Sequence, residues 1–128
     1  LQDASFKHYC RVAMDDRDGL IGFITFGTPR DPDISYDGEI YEVYVQSDFQ
    51  NQGLGKLLCC AAARGLRQKG AQSLTVEVLE GNPSRFFYEA LGGKVARRKN
   101  RPFAGLRLPS LIYGWDNLGV LVTEDTPG

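Results

Sequence analysis

The chain has 128 residues, enough for one hydrophobic core but not two, and its 42% hydrophobic and 24% charged residues with net charge −1 are those of an ordinary globular domain with no footprint for nucleic acid. No apolar run approaches the roughly 18–20 residues of a membrane span, and the opening LQDASFKHYC lacks the basic-then-apolar order of an export signal. Three cysteines, with Cys59 and Cys60 adjacent, form neither a disulfide framework nor a metal-ligand spacing, so a reducing cytoplasm is the expected setting.

In chain order, Phe6 to Met14 alternates with a strand's period: Phe6, His8, Cys10, Val12 and Met14 on one face, Lys7, Tyr9, Arg11 and Ala13 on the other. Asp15 to Gly19 closes a hairpin onto a second strand, Leu20 to Phe26. Prolines and turn formers from Gly27 to Asp33 then break the pattern, and this loop is expected to vary freely. Gly38–Val45 reads as a third strand. A polar loop leads to a helix burying Leu54, Leu57, Leu58, Ala61, Ala62 and Leu66, with Gly70 as its stop. Leu74–Leu79 is a half-buried strand expected to pair parallel to Gly38–Val45. A short helix, Ser84 to Leu91, follows with Asn82 as its cap and Gly92-Gly93 as its end. Lys94–Lys99 and Leu111–Trp115 complete the sheet, and Leu118 to Gly128 thins into a polar tail.

Charge is divided along the chain. Residues 1–50 hold ten acids against four bases, whereas residues 51–107 hold eleven bases against three acids. A polyphosphate ligand on the basic middle and a cationic acceptor on the acidic front would suit this division.

The richest stretch runs from Gly38 to Gly70: a strand, then QSDFQNQGLGK, then a helix. Gly53 and Gly55 let the backbone turn tightly where the helix begins, and the unpaired N–H groups and dipole of that helix end favour an anion such as phosphate. A Walker loop is excluded because Gly55-Lys56 is followed by Leu57, and a dinucleotide fingerprint fails at Leu58, where its third glycine belongs.

The pattern Gln50-x-x-Gly53-x-Gly55 after a strand resembles the acyl-CoA-binding signature of the GNAT superfamily of N-acetyltransferases. Gly81-Asn82-Pro83-Ser84-Arg85-Phe86-Phe87-Tyr88-Glu89-Ala90-Leu91-Gly92-Gly93 resembles that family's second signature, and the likeness spans Phe6 to Trp115. It implies an α/β fold with a GNAT-like mixed, mostly antiparallel sheet flanked by helices. Residues 1–118 would form one domain and 119–128 a tail. Family members usually begin with a further strand and one or two helices that shape the acceptor side, whereas this sequence opens at the hairpin.

The resemblance also implies a chemistry: direct transfer of an acetyl group from acetyl-CoA to a primary amine of a small molecule or protein, with no metal. The strand residues Val43, Tyr44 and Val45 would pair with the amide-bearing pantetheine arm, exposed by a β-bulge near Glu42, while Gln50, Asn51, Gln52, Gly53, Leu54, Gly55 and Lys56 would surround the pyrophosphate. Asn82 would contact the donor. Tyr88 would be the general acid for the leaving thiolate. Glu39 is the first choice for general base, with Glu42, which strict alternation places on the opposite face, or a water-mediated path as alternatives. A CoA-binding or interaction module without catalysis is the competing reading, and a homodimer is the expected assembly. His8, Cys59 and Cys60 read as packing residues, and Lys94 to Arg101 as a solvated basic edge.

Overall fold

The computed structural model describes residues 7–122. Six strands, β1 His8–Asp15, β2 Gly19–Gly27, β3 Gly38–Val45, β4 Leu74–Leu79, β5 Lys94–Phe103 and β6 Leu106–Trp115, form one sheet in the order β1-β2-β3-β4-β6-β5. Only β3 and β4 run parallel, linked by helix α1, Leu54–Gln68; helix α2, Arg85–Ala90, connects β4 to β5. This is the mixed, mostly antiparallel sheet with flanking helices that the sequence motifs imply.

Helix α1 covers one face of the sheet. Leu58, Cys59, Ala62, Ala63 and Leu66 join Ile24, Phe26, Ile40 and Leu74 in the core. The buried stripe is rotated from the expected one: Leu57 is 46% exposed and Ala61 half-buried, while Cys59 and Ala63 are fully buried. Small side chains explain the rotation. Cys59, Ala62, Ala63 and Gly65 let the helix lie close to the sheet, and a Cβ on Gly65 would already touch the Phe26 ring at 3.7 Å. Phe26→Ala should therefore cost about 3–5 kcal/mol of stability, read from the midpoint of a denaturant unfolding curve.

Strand β1 turns the opposite face inward from the one its pattern suggests. Tyr9 and Ala13 pack on the core, the Tyr9 ring 5.6 Å from Phe26, whereas Val12 and Met14 are exposed. Tyr9 offers the larger surface to bury, and Arg11 on the same side lays its guanidinium 5.6 Å from the Phe26 ring centre. Phe6 lies outside the described residues.

The last two strands extend well past Lys99 and start well before Leu111. They form a ten-by-ten-residue hairpin closed by Ala104 and Gly105, both with positive φ (51° and 81°), the backbone of a two-residue type I′ turn. Prolines are tolerated because Pro102 lies on an edge strand and Pro109 lies beyond the last β4–β6 pair, Leu79 with Ser110. Leu118–Val120 forms a 3-10 turn, and Leu118 and Leu121 are buried, so packing continues into the segment expected to be tail; residues 123–128 lie outside the described ones.

The β2–β3 loop is tied down rather than free. Asp31 accepts from Lys99 Nζ at 2.6 Å and Arg101 at 2.9 Å, Arg97 donates to the Asp33 carbonyl at 3.0 Å, and the Tyr36 hydroxyl donates to Asp116 at 3.0 Å. Acids of the first half thus meet bases of the second across the sheet, and part of the charge division is spent inside the fold. Hydrogen bonds from Lys99, the Asp33 backbone and Arg101 hold the Asp31 carboxyl well below the usual carboxylate range. A depressed pKa adds stability that is present above the unfolded value, about pH 4, and is lost as pH falls through the folded one. Asp31→Asn should therefore flatten the decline of Tm below about pH 4, seen in thermal scans across an acid series.

Candidate active site

The cleft begins with a register shift. Thr25 pairs with Glu42 and Phe26 with Ile40, which leaves Tyr41 as an extra residue on β3, one position from where a bulge was expected. Because of it, Glu39 faces Gly27, Glu42 faces Thr25 and Tyr44 faces Phe23, so both acids share the sheet face away from α1. The bulge also parts β3 from β4. The two strands pair only from Gly38 to Ile40, and beyond that point a cleft of about 440 Å³ opens between them.

Glu42, Val43, Tyr44, Asn82 and Tyr88, five of the residues singled out by sequence, line this cleft together with Glu77. Val43 and Val45 pack their side chains towards the core, and Tyr44 stacks on Phe23 at 5.5 Å. No strand pairs with their backbone on the β4 side, where β3–β4 pairing has ended at Ile40. The Val45 carbonyl receives the Gln50 side chain at 2.9 Å, which fastens the following turn to the end of β3. Asn51 (φ 63°) and Gly53 (φ 82°) are both left-handed, and helix α1 starts directly after Gly53. The first intrahelical bond is Leu57 N–H to Gly53 O at 3.0 Å, so the N–H groups of Leu54, Gly55 and Lys56 point ahead of the helix. A Cβ on Gly55 would stand 3.2 Å from the Phe87 ring, so bare backbone there lets α1 begin beside α2.

On α2, Tyr88 is 6% exposed, with edge contacts to Phe87 at 5.1 Å and Trp115 at 6.4 Å. Burial, with a smaller contribution from Cys59, pushes its phenol well above the ordinary tyrosine value, so it stays protonated. Asn82 does not itself start the helix. Its Oδ1 accepts from Ser84 N–H at 2.9 Å, and the helix begins at Arg85.

Beside the cleft lies a larger cavity of about 790 Å³, bounded by the β2–β3 loop and the β5–β6 hairpin. Four carboxylates line it, Asp31 and Asp33 from the loop and Glu39 and Glu77 from the sheet itself. Glu39 accepts at Oε1 from the Arg30 backbone N–H at 2.8 Å and Nε at 3.4 Å, and at Oε2 from the Arg30 guanidinium at 2.9 Å. Glu77 accepts at Oε2 from Arg101 Nε at 2.6 Å and Ser110 Oγ at 2.7 Å, and at Oε1 from Arg101 at 2.7 Å. A carboxylate has about four acceptor positions, so each keeps one: Glu39 on Oε2, Glu77 on Oε1. Burial alone would raise the Glu77 carboxyl, but the bonds from Arg101 and Ser110 outweigh it and hold the group below its usual value. Glu77 borders both cavities, whereas Glu39 borders only the larger. Sequence reading passed over Glu77. Its signal was the alternation of Thr75, Glu77 and Leu79 on one face, an ionisable residue on a half-buried strand. Among the described residues, no group of three or more His, Cys, Asp and Glu side chains is placed to hold a metal ion.

The model of the family described as FR47-like protein matches residues 34–102, more than half the chain, including β3, the glycine turn, β4 and α2. The chain belongs to the GNAT superfamily of N-acetyltransferases. It is 38% identical over 112 residues to YuaI of Bacillus subtilis, an uncharacterized N-acetyltransferase, covering 88% of this chain and 65% of that protein. It is 31% identical over 101 residues to the ribosomal protein bS18-alanine N-acetyltransferase of Haemophilus influenzae, covering 78% and 66%. The chain thus spans just under two-thirds of the length of both relatives. A protein of the GNAT family from Desulfovibrio desulfuricans shares the fold with a TM-score of 0.74 at 23% identity, over 88% of this chain and 70% of that one. An acetyltransferase of Bacillus subtilis solved in complex with CoA shares this GNAT fold at TM-score 0.66 and 18% identity, over 85% and 76%.

Proposed function

We propose that the protein transfers an acetyl group from acetyl-CoA directly to a primary amine. The observation that carries this reading is the convergence on one cleft of the unpaired β3 edge and Tyr88, beside the glycine turn at the start of α1. The residues fit the donor. Backbone of Val43 to Val45 offers strand-like hydrogen bonds to its amide arm, and the turn from Gln50 to Lys56 offers N–H groups and the Lys56 charge to its pyrophosphate. Asn82, at the same cleft, keeps its amide nitrogen for a further contact.

When bound, acetyl-CoA supplies the activated acyl group. The acceptor nitrogen forms its bond to the acyl carbon, the carbon–sulfur bond breaks, and Tyr88 delivers a proton to the departing thiolate. The amine's proton goes to a carboxylate. Glu77 borders both cavities and takes it directly in this reading, while Glu39, the first choice on sequence, would act through a water from the larger cavity. A peptide or protein α-amine is the acceptor to try first, because the bS18-alanine N-acetyltransferase is a relative at 31% identity.

The unpaired cysteines, exposed Cys10 and buried Cys59 and Cys60, fit a cytoplasmic setting, and no helix among the described residues is long and apolar enough to cross a membrane. A homodimer, to be checked by light scattering, is supported by the apolar Val12 and Met14 exposed on β1, the outermost strand among the described residues.

The test is calorimetric titration of acetyl-CoA and CoA, with ATP and NAD as controls, followed by thiol release over a panel of peptide and small-molecule amines. Micromolar binding of the CoA ligands alone with acceptor-dependent thiol release is the expected result. Donor binding without turnover on any amine would favour a silent CoA-binding module, and binding of ATP or NAD instead of CoA would overturn the reading.

A further inference from the structure

This inference rests on the assignment of Glu77 as base and names the residue that holds Glu77 in place for that role. Arg101 reaches from the projecting part of β5 back over the sheet and grips Glu77 with two parallel bonds, Nε to Oε2 at 2.6 Å and the terminal nitrogen to Oε1 at 2.7 Å. The same terminal nitrogen also donates to Asp31 Oδ2 at 2.9 Å, and Lys99 holds that oxygen from the other side at 2.6 Å. One planar guanidinium is therefore shared between the candidate base and the loop that walls the acceptor cavity. Lysine could not copy this, having a point charge in place of a planar fork.

We infer that Arg101 is a positioning residue: it fixes the Glu77 carboxylate, with its one open acceptor position, at the junction of the two cavities, and through Asp31 it couples that carboxylate to the β2–β3 loop. The charged and polar groups facing Glu77 come from four elements. Arg101 lies on β5, Ser110 on β6, Arg30 on the β2–β3 loop, and Glu39 and Glu42 on β3, Glu42 lining the smaller cleft with Glu77; Asp31 and Lys99 complete the set around Arg101. Arg30 is committed to Glu39 by three bonds, so it cannot replace Arg101 without releasing its own partner. Ser110 orients one oxygen but carries no charge.

Two consequences separate positioning from mere scaffolding. Without Arg101 the Glu77 carboxyl should titrate at higher pH, and the acidic limb of kcat/KM should move with it, because that limb reports the pKa of the essential base in the free enzyme. A scaffolding role would lower the rate at every pH and leave the limb in place.

The experiment follows the Glu77 carboxyl carbon by NMR across an acid titration of the whole protein, assigned by its loss in Glu77→Gln. The limb of kcat/KM for thiol release is measured in parallel with the best amine of the panel, and both are read in wild type, Arg101→Gln and Arg101→Lys. The expected result is an upward move of about one unit or more in both readouts for Arg101→Gln and a smaller one for Arg101→Lys. If neither readout moves while Glu77→Gln is inactive, Arg101 does not position the base and this inference falls alone. If the carboxyl moves but the limb stays, or Glu77→Gln keeps full activity, Glu77 is not the base and the inference falls with that assignment. Arg101→Lys, which keeps the charge that faces Asp31, supplies the reading if Arg101→Gln fails to fold.

Discussion

Tyr88→Phe should lower kcat by about 100-fold while leaving the Kd for acetyl-CoA within about twofold, at the lower end of the range for loss of a general acid. The low end is expected because a thiolate of pKa ~8.5 is already a competent leaving group and needs little help. The variant isolates the hydroxyl. The Tyr88 ring packs between Phe87 and Trp115, and its backbone carbonyl accepts from Gly93 N–H at 3.0 Å, contacts that Phe retains. Unfolding midpoints should accordingly agree with wild type to within about 1 kcal/mol. Because burial holds the phenol well above its ordinary value, the wild-type rate should show no basic limb from Tyr88 up to about pH 10. Steady-state thiol release paired with calorimetry decides the matter: equal kcat in the two proteins would remove Tyr88 from the chemistry, and a large loss of donor affinity would make it a binding residue instead.

The fold was most readable where local chemistry and tertiary demand coincide. Strands β3 and β4 begin and end where their apolar runs do, and α1 starts at the residue after Gly53 because the left-handed glycine and the helix-period leucines enforce one boundary from both sides. Legibility failed where only distance in space decides. Val12 and Met14 look like better core residues than Ala13, yet the face that β1 buries was settled by the fit of Tyr9 beside Phe26. The last two strands read as Lys94–Lys99 and Leu111–Trp115, and nothing local says that Pro102 would fall on a sheet edge and Pro109 past the end of β4. The Asp31 loop read as free because its partners, Lys99 and Arg101, lie some seventy residues further along the chain.

The site divides the same way. Its donor side is written in consecutive residues, since a glycine turn and a helix start are local structures, and the bulge at Tyr41 fell within one position of its expected place. The larger cavity, the proposed acceptor side, is assembled from separate segments: the β2–β3 loop, β3, β4 and the β5–β6 hairpin. Glu39 drew attention through spacing along the chain, whereas Glu77 gains its place only because β3 and β4 part, an event that one strand's sequence cannot show.

Glu77→Gln should reduce kcat/KM by about 100-fold near pH 7, against a loss of about tenfold or less for Glu39→Gln. The difference follows from position, because Glu77 opens on both cavities and Glu39 is reached only from the larger, with a water between it and the amine. The amide is nearly isosteric and keeps a carbonyl for Arg101, so the size of the hole is not what is being measured. The deficit should also shrink as pH rises. An amine that has lost its proton to solvent needs no base to become nucleophilic, so the rate of Glu77→Gln should climb about tenfold per pH unit until the acceptor's own pKa is passed. For a peptide α-amine that point is about pH 8, and for a lysine-type amine it is above pH 10, so the pH at which the variant catches up with wild type also reports which kind of amine sits in the cavity. A Glu39→Gln enzyme with the larger, pH-dependent loss, beside a Glu77→Gln enzyme close to wild type, would reverse the assignment and make the water-mediated path from Glu39 the working one.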